Sequence, residues 1–256
     1  MTDVSAWRAL ILAAGRGSRL GPLTRDRPKC LVTLGGRTLL DWQRGALGAA
    51  GLARVAVVAG YRADQLRRTG LPCFENGAWA SSNMVASLLA ARAWLAGGPC
   101  VVSYGDIVYH PRIVQTLLAC PYDVAIVYDR AWRVLWEDRF ERPEEDAESL
   151  RVRDGLVADI GRRVTELDRI EGQFLGLIRF SSAGWSHVER WLAGIDEETR
   201  RRIDTTTLLR ELVDAGMHVG AAPVRGGWCE VDSERDLALY QTRLDADEEW
   251  LHDWRS

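Results

Sequence analysis

The sequence predicts an α/β protein, a doubly wound and mostly parallel sheet with helices on both faces. Three observations carry that expectation. Short apolar runs alternate with stretches of helical periodicity along the 256 residues, the pattern of repeated strand–helix units. Runs such as Val55-Ala56-Val57-Val58 are apolar at every position, as strands covered on both faces are. The first run, Ala9-Leu10-Ile11-Leu12, leads into a glycine-rich turn. Open α/β sheets bind ligands there, beyond the carboxyl ends of their strands.

Taken in order, the apolar runs place strands near 8–13, 54–59, 100–104, 123–128, 173–180 and 218–224. Helical patterns fall near 38–51, 62–69, 84–96, 111–119, 131–139, 183–193, 205–215 and 233–253. In the 84–96 helix, Leu88, Ala91 and Leu95 share one side. The most polar region is 138–159, where the turn Arg153-Asp154-Gly155 between two short runs reads as a hairpin. Residues 129–172 are read as an insertion within one domain spanning 1–256. The insertion carries acceptor-side residues or is a plain exposed loop. In the last helix Leu237, Leu244 and Leu251 form a stripe, with Trp250 and Trp254 near its end. Such a stripe packs on its own domain or joins two copies, so a monomer or a homodimer is expected.

Composition narrows the function. Hydrophobic residues make up 47% of the chain, enough for a sizeable core. A net charge of −3 argues against general nucleic-acid binding. The five cysteines are odd in number and contain no C-x-x-C, so neither zinc nor a disulfide framework is expected, and a reducing cytoplasm fits. No window approaches 18 uncharged apolar residues, and the first residues do not read as a signal peptide, so no membrane partner is expected. The four histidines have no acidic or cysteine pairing pattern, and no G-x-S-x-G occurs.

The turn after the first strand is the chemically dense stretch: Leu12-Ala13-Ala14-Gly15-Arg16-Gly17-Ser18-Arg19, followed by Pro28-Lys29. Small residues let a backbone approach a ligand closely, and inward N–H groups bind oxyanions. Arg16, Arg19 and Lys29 add fixed positive charge. A unit pair at ~4 Å is worth about 4 kcal/mol at an effective dielectric of 20, so three cations around one loop suit a polyphosphate. A P-loop requires G-x-x-x-x-G-K-[ST], which is absent. A dinucleotide fingerprint requires a third glycine where Leu20 stands.

Written out, LAAGRGSRLGPLT…RPK resembles the signature of nucleotidyltransferases that act on sugar phosphates and phospho-alcohols. That resemblance implies a nucleotidyltransferase-type, Rossmann-like fold, a nucleoside triphosphate under the loop and Lys29 on its phosphates, with Arg19 beside it. Transfer of a nucleotidyl group calls for a divalent metal, Mg²⁺, which takes hard oxygen ligands. Asp106, in SYGDIVY after an apolar strand, and Asp232, in WCEVD, resemble the family's two metal motifs, with Gly105 beside the nucleotide. Alternation puts Glu230 on the face of Asp232, making it a third metal candidate. Asp232-Ser233 before a helix also reads as an N-cap.

Further stretches point to one branch. Asn76, Trp79, Asn83 and Ser87 match a string of phosphocholine cytidylyltransferases, whereas Met84 and Ala86 stand where that string commonly has asparagine and tyrosine. Asn83 and Ser87 are therefore nucleotide-contact candidates or simple caps. The loop Ala59-Gly60-Tyr61-Arg62 resembles the base-selecting segment, so Gly60 and Tyr61 join the nucleotide set. For the acceptor, Asp129, Arg130, Trp136, Arg162 and Glu171 offer aromatic, acidic and basic groups for an amine-bearing phosphonate or phosphate. The expected reaction is transfer of CMP from CTP to a small phosphonate or phospho-alcohol, 2-aminoethylphosphonate foremost. Phosphocholine, then sugar 1-phosphates, are the alternatives, and a non-catalytic nucleotide sensor is the alternative of another class.

Overall fold

The computed structural model describes residues 4–246 and 249–255. The chain runs from β1 (Arg8–Ala13) through a small hairpin, β2 (Thr33–Leu34) and β3 (Arg37–Thr38), to α1 (Leu39–Ala49). It continues through β4 (Arg54–Ala59), α2 (Ala63–Arg67), β5 (Cys73–Glu75), α3 (Met84–Ala90), α4 (Arg92–Ala96), β6 (Cys100–Tyr104), β7 (Ile107–Tyr109) and α5 (Pro111–Ala119). The second half holds β8 (Val124–Asp129), α6 (Trp132–Arg139), the hairpin β9 (Glu148–Arg153) and β10 (Leu156–Arg163), then β11 (Gln173–Phe180) and α7 (Ser182–Gly194). It ends with α8 (Glu197–Arg202), α9 (Thr205–Asp214), β12 (Val219–Val224), β13 (Trp228–Glu230) and α10 (Glu234–Ala246).

Nine of these strands form one sheet in the order β5-β4-β1-β6-β11-β8-β12-β10-β9. All but β10 and β11 run in the same direction. The expected α/β sheet is therefore present and mostly parallel. Its strands are buried on both faces for the reason their composition implies. Ala9, Ile11 and Ala13 of β1 pack into one apolar cluster, and Leu10 and Leu12 into the other, on the opposite side. Each fully buried Leu or Ile contributes about 1.5–3 kcal/mol, so these runs anchor the fold. The hairpin around Arg153-Asp154-Gly155 is also present, with Asp154 at φ 51 and Gly155 at φ 76.

Several elements differ from the sequence expectation. The 84–96 helix divides at Ala91, whose ψ of 21° interrupts the α geometry. Strands β5, β7 and β13 are three residues long, too short to register as a period. The last helix ends at Ala246, and of its expected span residues 247–248 lie outside the described residues. Beyond them the chain folds back, and Trp254 packs edge-on against Trp42 at 5.8 Å and near Tyr240 at 6.4 Å. Leu237 and Leu244 pack against the core, but Leu251 is 44% exposed. Trp254 is thus buried in its own chain rather than offered to a second copy.

Asp129, expected from the sequence beside the acceptor, is turned to this returning segment and lines neither of the two chambers of the candidate active site. At the end of β8 it is fully buried. Its Oδ1 accepts the N–H groups of Ala131 at 2.8 Å and Gly226 at 3.1 Å. Its Oδ2 accepts Trp228 Nε1 at 2.9 Å and His252 Nε2 at 2.8 Å. Burial alone would raise this carboxyl, but the bonds from His252 and Trp228 outweigh it and hold it below its ordinary value. Asp129→Ala leaves four donors without an acceptor and is expected to cost about 3–5 kcal/mol, read as a lower urea midpoint. A depressed carboxyl contributes stability above its unfolded pKa and loses it as pH falls through the folded one. The gap between wild type and variant should accordingly narrow as pH falls below about 4.

Candidate active site

The loop after β1 is shaped around one lysine. Gly17 sits at φ 73, and a Cβ there would fall 2.7 Å from the Lys29 side chain. Glycine therefore clears the path of the lysine stem. Thr24 Oγ1 closes the loop by donating to the Gly17 carbonyl at 3.0 Å. Lys29 follows Pro28 in a short 3-10 turn and is 8% exposed. Its Nζ donates to Asp106 Oδ2 at 2.8 Å and to Asp232 Oδ1 at 2.6 Å. Arg19 pairs with the other oxygen of Asp232. Burial disfavours the Lys29 charge, but Asp106 and Asp232 outweigh it and raise its pKa, so the ammonium persists at neutral pH.

Residues 126 positions apart in the chain meet because β7 and β13 pair. Their register sets Glu230 against Ile107, Cys229 against Val108 and Trp228 against Tyr109. The Val231 N–H then donates to the Asp106 carbonyl at 2.9 Å, which brings Asp232 beside Asp106. Gly105 permits the turn, since a Cβ there would lie 2.6 Å from the Leu12 carbonyl oxygen. Asp106, Glu230 and Asp232 each place a carboxylate oxygen within 4.8 Å of the others. Asp106 Oδ1 is buried with no hydrogen-bond partner. An orphaned anionic oxygen beside two further carboxylates fits a hard divalent cation. Desolvation pushes Glu230 up to about 7, opposed by Arg139 and reinforced by Asp106 and Asp232.

A cleft of about 280 Å³ opens over this cluster. Of the expected nucleotide contacts, Leu12, Ala13, Gly15, Gly17, Ser18, Arg19, Lys29 and Gly105 line it, with Asp106 and Asp232. The others support it from outside. The Ala14 carbonyl accepts the Tyr61 N–H at 2.8 Å, and Gly60 packs so closely that a Cβ would lie 2.6 Å from that same oxygen. The Arg16 guanidinium lies over the Tyr61 ring at 5.6 Å. Asn83 caps α3 through the Met84 N–H, and it is Met84 that faces the cleft. Ser87 is buried and accepts Asn76 Nδ2 at 3.1 Å.

A second chamber of about 170 Å³ adjoins the first and shares Arg19, Tyr104 and Asp232 with it. Its walls include Trp136, Asp146, Glu148, Gln173, Thr206, Trp228 and Glu230. Trp136 is the one expected acceptor residue on these walls. Arg130 is exposed beyond β8. Arg162 pairs on the surface with Asp159 at 2.8 Å and Asp214 at 3.1 Å. The β9–β10 register shifts between Ile160 and Arg163, so Arg162 does not follow the buried Ile160 inward. Glu171 is exposed and accepts the Val152 N–H at 2.7 Å. Sequence reasoning missed Arg139, Asp146, Glu148 and Thr206, which belong to no motif, and it did not single out Gln173 as a site residue although its segment, Glu171 to Phe174 at the start of β11, resembles one of the family's strings.

Known proteins bear on this geometry directly. A family model described as the MobA-like NTP transferase domain matches residues 9–213. The chain belongs to that family. This nucleotidyltransferase is 34% identical over 247 residues to the CTP:phosphoglutamine cytidylyltransferase of Campylobacter jejuni subsp. jejuni serotype O:2, covering 90% of this chain and 98% of that one. It is 33% identical over 105 residues to the 2-aminoethylphosphonate cytidylyltransferase of Lancefieldella rimae, covering 39% of this chain and 43% of that one. Its fold matches the inositol-1-phosphate CTP transferase of T. maritima, with a TM-score of 0.75 and 20% identity over 98% of this chain and all of that one.

Substitutions separate charge from shape here. Lys29→Ala removes a preorganised cation and is expected to lower kcat/KM on the order of 10²-fold or more. Asp106→Asn and Asp232→Asn keep the side-chain volume and are expected to abolish turnover with an unchanged circular dichroism spectrum. Steady-state pyrophosphate release from each purified variant checks both outcomes, and wild-type kcat/KM in Lys29→Ala would refute the role of the lysine.

Proposed function

We propose that this nucleotidyltransferase is a cytidylyltransferase that transfers CMP from CTP to a small amine-bearing phosphonate or phospho-compound. The observation that carries the reading is the contact between two chambers through Arg19, Tyr104 and Asp232. The triphosphate lies in the first, along the Gly15–Arg19 loop, and the acceptor in the second. An acceptor oxygen bonds to the α-phosphorus, the bond from that phosphorus to the α–β bridging oxygen breaks, and pyrophosphate leaves. The acceptor's own oxygen is the nucleophile, so no protein nucleophile is required. Lys29 and Arg19 neutralise the phosphate oxygens as charge builds on the leaving group. Asp106, Asp232 and Glu230 would hold Mg²⁺, which when bound adds Lewis-acid stabilisation of phosphate charge.

The insertion 129–172 contributes Trp136, Asp146, Glu148, Ser149 and Ile160 to the second chamber, and the other walls come from outside it. Carboxylates beside indole rings favour an ammonium group on the acceptor. 2-Aminoethylphosphonate meets that requirement. Phosphoglutamine meets it as well, and is supported by the Campylobacter jejuni relative that matches almost end to end. The cysteines described, Cys30, Cys73, Cys100, Cys120 and Cys229, are all free thiols, consistent with work in a reducing cytoplasm. No helix among the described residues is long and apolar enough to cross a membrane.

Initial rates with CTP, UTP and dTTP crossed with acceptors at fixed Mg²⁺ test the reading. CTP with 2-aminoethylphosphonate or phosphoglutamine is expected to turn over fastest, ahead of phosphocholine and of sugar 1-phosphates. Turnover with UTP or dTTP and a sugar phosphate alone would replace the reading by a sugar-1-phosphate transferase. Nucleotide binding with no pyrophosphate release for any pair would replace it by a sensor.

A further inference from the structure

One buried guanidinium ties the acidic cluster to the rest of the protein. Arg139, the last residue of α6, is 2% exposed. Its Nη1 donates to Glu230 Oε2 at 2.9 Å. Its Nε and Nη2 donate to Asp236 Oδ1 at 3.1 Å and Oδ2 at 3.4 Å, a two-point fork. Asp236 Oδ2 also accepts the backbone N–H groups of Asp232 at 3.0 Å and Ser233 at 2.9 Å. The guanidinium is therefore bonded to one clustered carboxylate directly and to the backbone of a second through Asp236. Its planar group is further confined by the rings of Phe140 at 4.8 Å and Trp136 at 5.3 Å.

We propose that Arg139 is a positioning residue for nucleotidyl transfer: it sets Glu230 and the Asp232 turn at the spacing a divalent cation requires. The proposal rests on the reading of Asp106, Glu230 and Asp232 as the cation site. Neither the cleft nor the expected acceptor residues include Arg139, so it acts through the carboxylates and not on substrate. A lysine in its place keeps the charge but loses the fork, and reaches one carboxylate in place of two. Removing an outer partner of a metal ligand generally weakens metal affinity or activity 10–100-fold.

The test measures Mn²⁺ binding by loss of the free-ion electron paramagnetic resonance signal, beside steady-state kinetics on the same full-length variants. Arg139→Met is expected to weaken Mn²⁺ binding and lower kcat by about 10–100-fold, with the CTP KM within about threefold of wild type. Arg139→Lys should recover part of both losses. Because one arm of the effect runs through Glu230 and the other through Asp236, the Arg139→Met/Glu230→Gln double variant should lose less Mn²⁺ affinity than the product of the two single losses. Wild-type Mn²⁺ affinity in Arg139→Met, or losses that multiply in the double variant, would overturn the proposal. If Arg139→Met does not fold by circular dichroism, Arg139→Lys with its own Glu230→Gln double variant makes the same comparison. If Asp106→Asn and Asp232→Asn bind Mn²⁺ as wild type does, the cation site itself is wrong and both readings fall together.

Discussion

The arrangement depends on the burial of opposite charges around Asp232. Its two oxygens face Lys29 and Arg19, its backbone is held by Asp236, and Asp106 shares the same ammonium. Removing charges from water is costly unless each is paired and hydrogen-bonded. Here the pairing is dense, and the exception among the acidic oxygens is informative. Asp106 Oδ1 has no partner, and Glu230 is pushed toward its neutral form by desolvation. The unpartnered oxygen makes the cluster receptive to added positive charge.

The sheet accounts for how two chambers come to share that cluster. β11 enters between β6 and β8 in the opposite direction, separating the β5-β4-β1-β6 half from the β8-β12-β10-β9 half. The Gly15–Arg19 loop belongs to the first half, and the hairpin carrying Glu148 and Ser149 to the second. Tyr104 stands at the seam. Its ring meets Phe174 edge-on at 5.8 Å, and Gly176, at φ 86, leaves room for it. The pairing of β7 with β13 then carries Glu230 and Asp232 to the same seam.

The returning C-terminal segment stabilises a wall of the second chamber by the same logic. Asp129 gathers donors from Ala131, Gly226, Trp228 and His252, and Trp228 lines the second chamber two residues before Glu230. A carboxylate inside the protein therefore orders a wall of the site without reaching it. Trp254, edge-on against Trp42, closes the apolar cluster beneath.

What the sequence by itself determined is whatever local chemistry specifies. Apolar runs define buried strands, so all six expected strands are present. The loop from Leu12 to Lys29 was legible because glycine, proline and cation spacing set its shape within a few turns of chain. Asp106 and Asp232 were legible because each follows an apolar strand in a recognisable string. Tertiary structure alone decided the direction of β10 and β11, since a buried strand reads the same in either orientation. It also decided which polar residues line the second chamber. Asp129 and Arg162 are as polar as Glu148, but burial and a register shift turn the first to backbone and side-chain donors in the interior and the second to solvent. Arg139 reads as one more charge on a polar helix, and only the convergence of α6, β13 and α10 encloses its guanidinium between two carboxylates. Such partners lie about ninety or more residues apart, a distance over which side-chain periodicity carries no information.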